Sequence, residues 1–207
     1  MEPKWLEWTR SLQSIVQTGL NYTQNPYDKQ RYVQITDILA EIVATYSDTD
    51  LSIVRDLFAQ QYGPSTPRMD VRGVVFKDDA LLMVRETLDN NRWTLPGGWA
   101  DVNETPAEST VREVYEESGY IVKATKLLAL LDKTKHGHPP DMFYIYKVFF
   151  LCEITGGEAT NSLETSEVAF FREDELPTDL SQGRVTMGQL KRFFEHHRNP
   201  DLPTDFD

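Results

Sequence analysis

The sequence predicts an α+β protein: a small all-helical module over residues 1–64, followed by a larger domain over residues 68–200 built on a mixed sheet. Three observations predict it. Apolar residues recur at helical spacing in three segments before Pro64; runs of strand length begin after Pro67; and those strands are not separated by regular helices, as a doubly wound sheet would require. A chain of 207 residues is long enough for one ordinary domain plus an appendage.

Each element has its own signal. Trp5, Trp8, Leu12, Ile15, Val16 and Leu20 share one face of a first helix. After the break at Asn25-Pro26, the stripe Tyr32, Ile35, Ile38, Leu39 and Ile42 marks a second. Leu51, Val54, Leu57 and Phe58 mark a third, with Asp48 or Asp50 as its cap and Gly63-Pro64 as its end. Three helices make a marginal core alone, so the module should pack on the rest of the chain or on a second copy. Pro64 to Pro67 reads as a linker. Then VRGVVF, ALLMVRE, IVKATKLLALLD, MFYIYKVFFLCEI and EVAFFRE read as strands, with one strong helix from Thr105 to Ser118 and another from Thr186 to His197.

The chain carries 21 Lys and Arg against 33 Asp and Glu, a net charge of −12. That argues against sequence-independent binding to nucleic acid or to anionic membranes. All of the net charge sits in two blocks, −5 in residues 98–120 and −7 in residues 153–179. The single cysteine, Cys152, lies in an apolar run; it excludes an internal disulfide and reads as a buried small hydrophobe. No apolar run has the roughly 20 residues of a membrane span, and the start of the chain lacks an apolar signal core, so the expected location is the cytoplasm.

The first acidic block carries the chemistry. Pro96-Gly97-Gly98 permits unusual backbone angles, and Thr105 can cap a helix with Pro106 at its first position. Within that helix Glu113, Glu116 and Glu117 stand at i, i+3 and i+4, on one face. Like charges so spaced cost about 0.2–0.5 kcal/mol per pair, which is reasonable where hard divalent cations sit between them. Oxygen ligands without Cys or His point to Mg2+, with Mn2+ as an alternative, rather than to zinc.

Gly98, Glu104, Arg112, Glu113, Val114, Glu116, Glu117 and Gly119 match the Nudix box, G-x5-E-x7-R-E-U-x-E-E-x-G-U, at every fixed position; Tyr120 replaces the usual aliphatic residue at the last. The chain therefore resembles the Nudix hydrolases. That resemblance implies an α/β/α sandwich with a mixed sheet and hydrolysis of a nucleoside diphosphate linked to another moiety, by attack of water on phosphorus. It implies Glu113 and Glu117 as principal metal ligands, Glu116 as a direct or water-mediated one, the Gly97 or Gly98 carbonyl near a metal, and Arg112 and Glu104 as residues orienting the cluster. It also implies a glutamate in a loop before a late strand. Glu164, six residues before Phe170, is the matching position and Glu167 the second choice; the general base is left open between Glu164 and Glu113.

NPYDKQRY, KHGHPP, YKVFFLCEITGGE and DELPTDLSQGR resemble a bacterial Nudix subgroup with a helical N-terminal module, which includes CDP-choline and ADP-ribose pyrophosphatases. The resemblance implies a homodimer. The expected reaction is CDP-choline to CMP and phosphocholine, with ADP-ribose as the alternative substrate. A non-catalytic nucleotide sensor is the alternative of another class; it usually requires an eroded box, and here all three glutamates and Arg112 are present. His138 in the KHGHPP loop, Trp99 after the glycines, Arg72 on the first sheet strand and Arg184 are the candidate substrate contacts: Trp99 by stacking, the arginines by pairing phosphate oxygens.

Overall fold

The computed structural model describes residues 2–61, 63–162 and 164–207, and its chain divides into two compact units. The first comprises residues 1–67 together with 140–144; the second comprises residues 68–139 and 145–207.

In the first unit, α1 (Lys4–Tyr22), α2 (Pro26–Ser47) and α3 (Leu51–Ala59) enclose Val16, Leu39, Ala40, Val43, Val54 and Phe58. Asn25 caps α2 by accepting the Tyr27 N–H, with Pro26 at the first helical position, and Asp50 caps α3 by accepting that of Ser52. Asp48, the other expected cap, instead ends α2 in the left-handed region. The expected apolar stripes are only partly inside. Trp8 (62 % exposed), Leu12, Ile15 (64 %) and Ile38 remain on the surface of this unit.

The second unit is an eight-stranded mixed sheet: β1 (Arg68–Lys77), β2 (Ala80–Glu86), β3 (Arg92–Thr94), β4 (Gly97–Trp99), β5 (Tyr120–Asp132), β6 (Ile145–Gly157), β7 (Thr165–Phe171) and β8 (Asp205–Phe206). The order is β3-β2-β1-β6-β5-β8, with β4 on β1 and β7 on β2; β1 runs parallel to β6 and β5 to β8, and the other pairs are antiparallel. Two helices, α4 (Pro106–Ser118) and α5 (Met187–Arg198), cover opposite faces. Strand alternation separates the two cores. Val74, Leu81 and Met83 join Leu190, Phe193 and Phe194 of α5, whereas their neighbours Val75 and Leu82 join Val114 of α4. Cys152 lies in the α4 layer, where burial pushes its thiol up to about 12.

The short strands β4 and β8 carry no signal in the sequence, because two or three residues hold no readable period. The segment expected as a strand from Met142 begins only at Ile145: Met142 packs against the helical core of the first unit, and the Asp141 side chain turns the chain by accepting the Phe143 N–H. Among the described residues, no helix is long and apolar enough to cross a membrane.

Candidate active site

Helix α4 is fixed at both ends by its own sequence. Thr105 and Glu108 form a reciprocal capping box, Pro106 occupies the first turn, and Gly119 ends the helix at φ 77°. Its inner face is held close to β1, because Gly73 leaves room there: a Cβ at that position would lie 2.3 Å from Val114 Cγ2. This packing sets the depth of the glutamates. Glu117 is buried at 4 % exposure, Glu113 lies between buried and exposed, and Glu116 is exposed.

Arg112 gathers the box into one network. Its Nε donates to both oxygens of Glu104 at 3.1 Å, Nη1 to Glu113 Oε1 at 2.9 Å and Glu116 Oε2 at 3.0 Å, and Nη2 to Asp101 Oδ2 at 3.0 Å. Glu104 also accepts the Ser109 hydroxyl at 2.8 Å. Burial opposes the charge of Arg112, but the bonds to Glu113 and Glu104 outweigh it and hold the guanidinium protonated.

Gly97 faces Glu117. Its N–H donates to Glu117 Oε2 at 2.8 Å, and the Thr165 hydroxyl donates to the Glu117 carbonyl at 2.7 Å, tying β7 to the end of the helix. Burial pushes the Glu117 carboxyl up to about 8 against the opposing pull of Arg72 and Gly97, and the nearby charges of Glu113 and Glu86 add to it. Glu113 is pushed up as well, chiefly by burial. Glu86, 3 % exposed at the end of β2, was missed in the sequence. The readable signal was its place on the Leu82 face of a buried strand, where an acid needs a partner; Arg184 Nε lies 3.6 Å from its Oε2.

The remaining candidates lie as follows. Arg72 is buried, with Nε and Nη2 on Asp70 and Nη1 on the Leu95 carbonyl. Arg184 pairs with Glu86, with Asp89 at 3.5 Å and with the Ser181 hydroxyl at 3.2 Å. Trp99 is half exposed beneath the guanidinium of Arg68, 5.8 Å from the ring centre. His138 donates from Nδ1 to the Gln182 carbonyl at 2.7 Å and accepts the Gln189 amide at Nε2 at 3.0 Å; burial lowers it to about 4, so it is neutral. Glu164 exposes its side chain, while its carbonyl accepts the Thr87 N–H and hydroxyl at 2.9 and 2.8 Å. Its neighbour Thr165 is the residue that bonds Glu117 and stands opposite Glu86 in the β2–β7 register.

The donor set suits a hard divalent cation. Among the described residues no three acidic or histidine side chains converge on one point as they stand, since Arg112 and Gly97 each hold carboxylate oxygens. Oε2 of Glu113 and Oε1 of Glu117 accept no hydrogen bond from the described residues. Two desolvated carboxyl groups, each with an uncommitted oxygen, are what a Mg2+-sized ion would neutralise.

A loop and a capped helix presenting glutamates on one face of a mixed sheet that lies between two helical layers define a phosphoanhydride hydrolase of the Nudix type. The chain belongs to the NUDIX family, whose domain it matches over residues 66–190; residues 3–58 match a UDP-X-like, N-terminal oligomerisation domain. It is an enzyme of this hydrolase class. It is 42 % identical over 207 residues to YjhB of Bacillus subtilis, provisionally named an ADP-ribose pyrophosphatase, covering 100 % of this chain and 99 % of that one. A solved ADP-ribose pyrophosphatase from Streptococcus suis is 39 % identical, with 69 % of this chain and 100 % of that chain covered and a TM-score of 0.63. A solved UDP-X diphosphatase is 28 % identical, covering 99 % and 98 %, with a TM-score of 0.64.

Proposed function

We propose that the protein is a Mg2+-dependent nucleotide pyrophosphohydrolase that splits a nucleoside diphosphate linked to a sugar or alcohol, with ADP-ribose as its first substrate. The observation that carries the class is Glu117: a buried carboxyl beside Glu113, its oxygen placed by the Gly97 amide. Glu113, Glu117 and, through its exposed side chain, Glu116 would hold the ion, together with the loop at Gly97. When bound, a divalent cation neutralises pyrophosphate oxygens and lowers the pKa of a bound water from 15.7 toward neutrality.

The chain's own residues supply the rest. Arg112 and Glu104 keep Glu113 and Glu116 in register. Glu164, with an exposed carboxylate one residue from the Thr165 contact to Glu117, takes the proton of the attacking water, and Glu113 is the other choice. Trp99 offers half of its ring to a base or ribose.

ADP-ribose is preferred over CDP-choline because the two relatives above with the highest identity carry ADP-ribose names. The full-length likeness to a UDP-X diphosphatase favours a UDP-linked substrate as the second reading. Purified protein with Mg2+ and a panel of ADP-ribose, UDP-sugar and CDP-choline decides: turnover of ADP-ribose to AMP and ribose 5-phosphate, lost on chelation, is the expected result. Inert ADP-ribose beside rapid CDP-choline turnover would sink the substrate assignment; no hydrolysis of any member would favour the nucleotide sensor.

The helical module is proposed to form a homodimer, supported by the family description and by Trp8, Leu12, Ile15 and Ile38 lying exposed on it. Sedimentation at micromolar concentration should give a species of twice the chain mass, and Ile15→Glu should give a folded monomer. A monomeric unaltered chain would refute the dimer.

A further inference from the structure

On the face of the sheet beneath α5, next to the strand end that carries Gly97, lies a buried ion triad that the hydrolytic reading does not use. Asp70, Arg72 and Lys147 are 7, 3 and 0 % exposed. Asp70 Oδ1 accepts Arg72 Nε at 2.8 Å; its Oδ2 accepts Arg72 Nη2 at 3.3 Å and Lys147 Nζ at 2.9 Å. Strand register produces this grouping, because Asp70 stands opposite Lys147 across β1 and β6, and Arg72 stands opposite Gly97 across β1 and β4.

Stability alone is a poor reason for such a triad, since buried ions seldom outperform apolar side chains of the same volume. Two cations around one carboxylate also leave surplus positive charge inside. The surplus has a direction. Arg72 reaches past Asp70 to bond the Leu95 carbonyl at 3.1 Å, and its charge acts on Glu117 and Glu113. Both edges of the guanidinium are therefore committed, one to Asp70 and one to the strand end that presents the Gly97 N–H to Glu117.

We propose that Asp70, itself held by Lys147, is a positioning residue of the metal centre: it fixes Arg72 so that residues 95–97 stay in place and the guanidinium remains a set distance from Glu113 and Glu117. Released from Asp70, Arg72 would turn toward those glutamates and compete with the cation. The inference rests on the metal-dependent reading above, and it moves Arg72 from substrate contact to support of the ligands.

Mn2+ binding without nucleotide, followed by the electron spin resonance of free Mn2+, tests it. Asp70→Asn should weaken binding about tenfold, the usual scale for loss of a ligand's supporting partner. The double variant Asp70→Asn with Lys147→Met keeps the net charge of the triad while removing both anchors, and should show the same loss; a field effect without positioning predicts none. Arg72→Lys keeps the charge but cannot span Asp70 and Leu95, so it should also lose about tenfold, and it serves if the Asp70 variants fail to fold. A purely structural role lowers the melting temperature and leaves Mn2+ affinity at 20 °C unchanged. Affinity within twofold of the unaltered chain in a folded variant overturns the proposal. Absence of Mn2+ binding by the unaltered chain overturns the metal-dependent reading itself, and this inference with it.

Discussion

The N–H of Gly97 donates to Oε2 of Glu117 at 2.8 Å, joining the end of a strand to the last turn of the box helix. This bond separates folding from chemistry at Glu117. Glu117→Gln retains an oxygen that accepts the Gly97 N–H, so the fold should stay intact, but a neutral amide binds a hard cation far more weakly than a carboxylate. Turnover should fall by orders of magnitude while the circular dichroism spectrum and melting temperature hold. Undiminished turnover would refute the metal assignment.

A second consequence concerns pH in the metal-free protein. The Glu117 carboxyl rises from 4.5 to about 8 on folding, so the folded state holds a proton that the unfolded chain releases, and stability falls as pH rises through that window. His138 acts oppositely. Its value falls from 6.5 to about 4, so between those limits the unfolded chain binds the extra proton and stability rises with pH. The two offset each other between 4.5 and 6.5; from 6.5 to 8 His138 no longer opposes Glu117, whose own contribution to the loss should be about 2 kcal/mol. Melts in a chelator across that range should show the decline in the unaltered protein and a shallower one in Glu117→Gln, where only the raised Glu113 carboxyl is left to contribute in the same direction; a decline of equal size in both would assign the effect elsewhere.

How much of this was legible follows the range over which each signal acts. The capping box of Thr105 and Glu108, the three glutamates and the stop at Gly119 are local, and they stand in the structure as an isolated helix would place them. The triad was not legible. Lys147 interrupts an apolar strand and Asp70 lies at the start of another, and only the parallel register of β1 on β6 brings them together. Glu86 was hidden for the same reason, since its neighbours belong to β7 and to the segment carrying Arg184. Trp8, Leu12 and Ile15 followed helical spacing correctly, but periodicity reports an apolar face without saying what covers it.

The two glycines at the site should fail differently when substituted. Gly97 has φ 143°, and a Cβ there would stand 2.1 Å from the Val71 carbonyl and 2.8 Å from Arg72 Cα, so Gly97→Ala strains backbone against backbone. A loss of several kcal/mol is expected, together with the Glu117 contact. At Gly98 the nearest atoms to an added Cβ belong to the Glu113 carboxylate, at 2.9–3.0 Å, the far end of a side chain that can swing away. Gly98→Ala should therefore fold with a melting temperature within a few degrees of normal but need more Mg2+ for half-maximal rate. Equal destabilisation by both would contradict this division.

The general base can be assigned by a comparison at Glu164. Its side chain is exposed, and its structural contacts come from its own backbone: the carbonyl accepts from Thr87, and the N–H donates to Ser162 Oγ. Glu164→Gln leaves those backbone bonds in place and should change stability by no more than about 0.5 kcal/mol, as for other exposed sites. If its carboxylate takes the proton from the attacking water, kcat should fall about 100-fold or more, with KM for the nucleotide little changed. Glu113→Gln, by contrast, should raise the Mg2+ requirement as well as lower kcat, because Glu113 is a ligand in the proposed centre. A Glu164→Gln enzyme with unaltered kcat would transfer the base to Glu113 and make Glu164 an ordinary surface acid.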